Sequence, residues 1–379
     1  MIVWCVDSPG FGGAELNLIR VLKMTWPLPA VVLHSEQASP LLLALLEEKG
    51  IRAEPVFRGK NTVGSILSSI GIARALLRKY KGASFVVWCH HIDSSRWMQF
   101  TLALYKRRFA IVEQVIPDNW AVFDNSRLSQ PLKSFATKRA YTVVLNAHCS
   151  KFEYCRFFET PNANVRVIPN TRAIGDIADR AVMLAPERSV SRKLYGIPVD
   201  AFVIVCVGRL HSQKNQATLL AAYQLLYESH KNVALLLVGD GDDREKLEQI
   251  VSNERLSNIH FLGFQSDPLP YLAMSDVFVL PSLYEGLSGA LLEAVAFGIP
   301  CIVSNVPNNL EVISDKVNGI VFPPLDSNAL FQNLDFARTY PSVMSSMAKT
   351  ARSIAFERFD EKFEADGWLA LVNDLSLAV

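Results

Sequence analysis

Short, almost unbroken apolar runs recur along the whole chain: IVWCV at 2–6, AVVLH at 30–34, FVVWC at 85–89, AIVEQV at 110–115, TVVL at 142–145 and VRVI at 165–168. A second series, FVIVCVG, NVALLLVG, NIHFLG, DVFVLP, PCIVS and GIVFP, fills residues 202–323. A strand with one face in water alternates apolar and polar residues, whereas a strand covered by helices on both faces is apolar throughout. These runs are separated by segments with apolar residues at helical spacing, so they predict parallel sheets wound on both sides by helices. Because the scheme occurs twice, the expected fold class is α/β, with two doubly wound Rossmann-like domains.

A length of 379 residues suits two domains of ordinary size. The polar stretch at about 170–200, with PNTRAIGD and APERSVSRK, reads as linker plus entry to the second domain. The last segment, FERFDEKFEADGWLALVNDL, follows the second sheet and has helical spacing, so it is expected to pack back on the first domain. The first domain should span 1–185 plus a C-terminal helix at about 357–379, and the second 195–356.

Composition restricts the class further. Half the residues are apolar and a fifth charged, as in a globular protein with ample core. The longest apolar stretches, such as AFVIVCVG and PLLLALL, fall short of the roughly 18 residues that cross a bilayer. MIVWCVDSPG lacks the basic start and the cleavage site of a signal peptide and reads as the first strand, so a cytoplasmic protein is expected. The six cysteines form no CxxC pair and are expected as reduced core thiols. Residues 1–170 hold 21 Lys+Arg against 12 Asp+Glu, although the whole chain carries only +1. This basic half suggests peripheral attraction to an anionic surface, the inner membrane face or an acidic glycan. RWMQFTLALYKRRF and LKSFATKRAY are the expected contacts, and the competing reading makes them core helices with basic last turns.

Open parallel sheets bind ligands beyond the carboxyl ends of their strands. In the first domain SPGFGGAE runs from strand to helix, so Gly12 and Gly13 let backbone N–H groups approach a phosphate or sugar. A dinucleotide fingerprint would need a third glycine where Glu15 stands, although Glu36 past the second strand keeps that reading open. His90 and His91 end a strand and can reach a bound sugar or simply cap the next helix. Trp120 and Phe123 could stack on a sugar ring or anchor their loop.

In the second domain Arg209 follows a strand directly and Lys214 comes five residues later, before a helix, which is a natural clamp for a diphosphate. GDGDDRE superficially resembles a calcium loop, but Arg244 occupies a ligand position and no metal is expected there. EGLSGALLEA sets Glu285 and Glu293 eight positions apart. A helix is predicted from Ser288 or Gly289 through Ala296, with Glu285 in the loop before it and Glu293 about one turn inside. Eight helical residues would span about 12 Å, too far for two carboxylates of a glycosidase pair. The interval suits the two ends of a nucleotide-sugar, with Leu287, Ser288 and Gly289 offering amides to the diphosphate.

With these motifs the sequence resembles the retaining GT-B glycosyltransferases of family 4, the glycosyl transferases group 1. The resemblance rests on GGAE, VIPN, VGRL with KN after it, VGDGDDREKLE, NIHFLGF, the Glu-x7-Glu segment and NGIVFPPLD. It implies that Glu285 contacts the donor sugar, Glu293 the ribose, and Arg209 with Lys214 the diphosphate. It also implies that Gly12 and Gly13 border the cleft, that His90 or His91 lies near the sugar, and that Gly241 and Phe264 belong to the nucleotide site. Three departures stand out: Thr171-Arg172 after VIPN in place of a Gly and an aliphatic-Asp pair, Asn308-Asn309 in place of a Gly pair before Glu311, and Ser288-Gly289 in place of bulkier residues.

The expected function is hexosyl transfer with retention from a nucleoside-diphosphate sugar, a UDP-sugar such as UDP-glucose or UDP-GlcNAc, to a glycan or lipid-linked glycan acceptor in polysaccharide or cell-envelope biosynthesis. No metal or other cofactor is expected, because the two cations stand in for it, and no nucleic-acid partner. Alternatives are a nucleotide-sugar epimerase or hydrolase, marked by product without acceptor, an NAD-dependent oxidoreductase, marked by nicotinamide absorbance changes, and a non-catalytic sugar-binding protein.

Overall fold

The structure is a computed structural model that describes residues 1–6, 13–25, 30–35, 38–57, 74–89, 93–113 and 129–377. The chain divides into two compact units, Met1–Asn170 with Lys362–Val379, and Thr171–Glu361.

In the first unit the parallel sheet is ordered β3-β2-β1-β4-β5-β6-β7, with β1 at Ile2–Val6, β2 Ala30–Ser35, β3 Arg52–Phe57, β4 Ser84–Cys89, β5 Phe109–Glu113, β6 Thr142–Leu145 and β7 Val165–Val167. The order turns back at β1, where Val3 pairs Val31 on one side and Phe85 on the other. Apolar runs covered on both faces place all the expected strands, while RAEPVF was not expected to be one. It forms β3 at the edge of the sheet, where Pro55 and charged side chains are tolerated because one side of the ladder is unpaired.

The helix Glu361–Ser376 packs on this unit, burying Trp368, Leu371, Val372 and Leu375 in the core that holds Trp4 and Trp88. Ring centroids of the three tryptophans lie 5.7–6.1 Å apart. Arg20 to Glu364 at 2.9 Å and Arg166 to Asp374 at 2.7 Å pin the polar sides of the helix.

The two basic segments lie largely on core helices. Met98, Leu102 and Ala103 of Asp93–Leu104, and Ala136 of Ser129–Arg139, are buried. Lys133 is itself buried and pairs with Glu113 at 2.9 Å. Most of the apolar residues expected to meet a membrane are therefore spent inside, and the basic last turn, Lys138 and Arg139, suits the helix dipole. No helix among the described residues is long and apolar enough to cross a membrane.

In the second unit the sheet order is β10-β9-β8-β11-β12-β13, with β8 at Phe202–Val207, β9 Val233–Val238, β10 Ile259–Phe261, β11 Val277–Leu280, β12 Cys301–Ser304 and β13 Ile320–Phe322. Residues 171–185, expected with the first domain, belong to this unit instead. The reason is apolar: Ile174 and Ile177 of the helix Ile174–Leu184 are buried in the core with Val203, Phe278 and Leu291. The stretch read as a linker is thus mostly helix, continuing through Arg188–Leu194, where Arg192 is buried and bonded to Asp276 at 2.8 Å. Cys5, Cys155, Cys206 and Cys301 are free thiols.

Candidate functional site

In the second unit the order of strands reverses between β8 and β11, and the carboxyl side of such a switch point is where open α/β sheets bind ligands. Hydrogen bonds stitch these two loops together. The loop after β8 tightens into a 3-10 turn, Ser212–Lys214, closed by Asn215 in the left-handed region at φ 53°. Asn215 Nδ2 donates to the Pro281 carbonyl at 3.2 Å, Gln213 Nε2 donates to that of Tyr284 at 3.0 Å, and the Leu283 N–H donates to that of Gln213 at 2.8 Å.

That scaffold brings Lys214 onto Glu285, Nζ to Oε1 at 2.5 Å, although they are 71 residues apart. Ser282 donates its hydroxyl to the same oxygen at 2.5 Å. Behind it Ser304 donates to the Ser282 carbonyl, and Asn309 Nδ2 donates to Ser304 at 3.1 Å. The Glu285 side chain is 5% exposed and that of Lys214 18%. Burial of two charges costs several kcal/mol per ion unless good geometry offsets it, so such a pair is poorly explained by stability alone. Beneath it, burial pushes the Cys206 thiol up to about 12, the lysine charge opposing and the glutamate charge adding to the shift.

The helix expected after Glu285 spans Gly289–Phe297, with Ser288 as its N-cap and the Ser288 hydroxyl accepting from the Leu291 N–H at 3.4 Å. Leu287 is buried in the core, which fixes the approach to the helix. Glu293 sits one turn inside, as the spacing predicts, and is bonded to Arg172, whose Nε donates to Oε1 at 2.7 Å. Sequence reasoning had noted Arg172 only as a departure from the family pattern. Nothing local ties it to Glu293, 121 residues away. The guanidinium passes where a side chain at Gly289 would lie: a Cβ there would come 1.7 Å from Nη2.

Arg209, expected to act beside Lys214, is also placed at the carboxyl end of β8 but is mostly exposed, paired at 2.9 Å with Asp242 in the loop after β9. The two cations therefore have different partners within one strand end. Gly241 lies in that second loop, so close to the first that a Cβ would be 2.3 Å from the Leu210 carbonyl oxygen. Phe264, just past the edge strand β10, is 72% exposed. Of the Asn pair, Asn308 is buried and its Nδ2 donates no hydrogen bond among the described residues, while Asn309 joins the Ser304 network.

In GDGDDRE, Asp240 is bonded to Arg244 at 3.3 Å and Asp242 to Arg209. Among the described residues no three His, Cys, Asp or Glu side chains gather as a metal site. Gly12, Glu36, His90, His91, Trp120 and Phe123 lie outside the described residues, and Gly13 is described only as the first residue of the helix Gly13–Met24.

Residues 187–353 match the family model of the glycosyl transferases group 1. The chain is 30% identical over 240 residues to an uncharacterized glycosyltransferase of Methanocaldococcus jannaschii, covering 62% of this chain and 60% of that protein. It is 31% identical over 228 residues to the UDP-Gal:alpha-D-GlcNAc-diphosphoundecaprenol alpha-1,3-galactosyltransferase of Escherichia coli, covering 59% and 57%. The aligned parts thus span less than two thirds of these relatives' own length. Among solved structures, Anabaena HepE in complex with UDP and glucose superposes with a TM-score of 0.79 over 100% of this chain and 99% of that one, at 20% identity.

Proposed function

We propose that this chain, whose residues 187–353 match the glycosyl transferases group 1 and which has the GT-B fold, transfers a hexosyl unit from a nucleoside-diphosphate sugar to a hydroxyl of a glycan or lipid-linked glycan. The observation that carries this reading is the Lys214–Glu285 pair at the β8/β11 switch point, a cation and a carboxylate held together where an open sheet binds its ligand. UDP is the proposed nucleotide, since HepE is a UDP complex and the E. coli relative is named for a UDP-galactose donor.

In this reading Glu285 accepts hydrogen bonds from hexose hydroxyls. Lys214 keeps N–H donors beyond the one it gives Glu285, and these, with Arg209 and the amides at Ser288 and Gly289, stabilise the leaving diphosphate. The bond from the anomeric carbon to the phosphate oxygen breaks, the acceptor oxygen bonds that carbon from the same face, and the acceptor proton passes to the departing phosphate. Configuration is retained, and the cations supply the charge stabilisation with no resident metal.

The test is a pair of variants. Glu285→Ala should cut transfer by roughly 100- to 1,000-fold, the loss expected on removing one preorganised electrostatic partner, with little loss of UDP binding by calorimetry. Arg209→Ala should weaken both binding and turnover. Full activity in either variant would refute these roles, and a wild-type protein that converts the donor to product without any acceptor would favour a hydrolase or epimerase.

A further inference from the structure

We propose that Arg172 is the positioning residue for the ribose end of the donor site: it orients Glu293 to accept a ribose hydroxyl, and Gly289 is the slot that admits its guanidinium. The inference rests on the nucleotide-sugar reading above.

Arg172 is fixed at several points. Its backbone N–H donates to the Phe359 carbonyl at 3.2 Å, its own carbonyl accepts from the Ile174 N–H at 2.9 Å, and its Nη1 donates to the Thr171 carbonyl at 2.9 Å. From this anchored stalk Nε reaches Glu293 Oε1. Glu293 Oε2 has no hydrogen bond among the described residues, and the side chain is 23% exposed. One carboxylate oxygen is therefore held while the other is presented. A glutamate without such a partner would spread over several rotamers and lose entropy on meeting a hydroxyl.

The location has an electrostatic cost that argues for purpose. Nη2 lies over the first residue of the helix Gly289–Phe297, at the positive end of its dipole, where a cation is unfavourable by itself. The Glu293 carboxylate offsets that cost. Only a residue without a Cβ leaves room, since the alternative is a 1.7 Å approach.

The decisive measurement is discrimination between ribo- and 2′-deoxyribonucleotides by calorimetry, using whichever of UDP, GDP and ADP the wild-type protein binds and its 2′-deoxy form. The wild type should prefer the ribonucleotide about 10- to 100-fold, the worth of a hydrogen bond to a charged acceptor. Arg172→Ala should bring the ratio toward unity. Gly289→Ala should do the same with the arginine still present. Its added Cβ meets only the tip of a flexible side chain, and alanine is the better helix former, so thermal stability should be kept or raised. In the Arg172→Ala background, Gly289→Ala should change the ratio no further, since the two act through one contact.

An undiminished ratio in both single variants would overturn the inference while leaving the donor site intact. Equal loss of both nucleotides with the ratio preserved would also overturn it, because Arg172 would then be gripping the diphosphate. A wild type that binds none of the three nucleotides would overturn the inference together with the reading it rests on.

Discussion

Glu285 owes its place to a relay of small side chains: Asn309 on Ser304, Ser304 on the carbonyl of Ser282, and Ser282 on the carboxylate. Ser282→Ala would leave a buried carboxylate with one partner fewer, at a cost of about 1–3 kcal/mol, and turnover should fall more than donor affinity does. Denaturant titration and a kcat against KM comparison check the two parts separately. Ser288→Ala removes the N-cap and should cost about 0.5–2 kcal/mol. The residue identities behind Lys214, Glu285, Glu293 and Ser288 were legible in the sequence because each sits at a fixed offset from a strand end or helix start. Arg172 and Ser282 were not, since their roles arise from contacts that no local spacing encodes.

At the level of elements, the helix Glu361–Ser376 is the test of how a distant segment completes a unit. Trp368→Ala would empty a site between Trp4 and Trp88 and should destabilise the first unit by about 3–5 kcal/mol, read as a lowered unfolding midpoint. Its polar edge titrates. The Arg166 guanidinium foremost, then the Tyr141 hydroxyl and Arg108, hold the Asp374 carboxyl below its usual 3.8. A depressed carboxylate contributes stability that is present above the ordinary value and lost as pH falls through the folded one. Helix docking should therefore weaken on acidification below about pH 4, and Asp374→Asn should flatten that part of an acid titration followed by tryptophan fluorescence. Helical spacing predicted this segment and its return to the first unit. The edge strand β3 escaped because proline and charge mask its pattern.

Across the whole molecule, two units with separate cores let ligand and mutation act on different parts. UDP at about 100 times its dissociation constant should stabilise the unit that binds it by about 2.7 kcal/mol. Hydrogen exchange should slow at the carboxyl ends of β8 and β11, while the tryptophan core of the first unit keeps its wild-type rates. Protection confined to the first unit would contradict the assignment of the donor site. By itself the sequence determined the two doubly wound sheets and the C-terminal return, because strand burial and helix periodicity are local patterns of residue type. Only the tertiary structure decided that Lys214 grips Glu285 rather than standing beside Arg209, that residues 171–185 join the second unit, and that Arg172 lies against Gly289 to hold Glu293. Those outcomes depend on side chains 71 and 121 positions apart meeting at the ends of strands and helices, and such meetings are fixed by how whole elements pack.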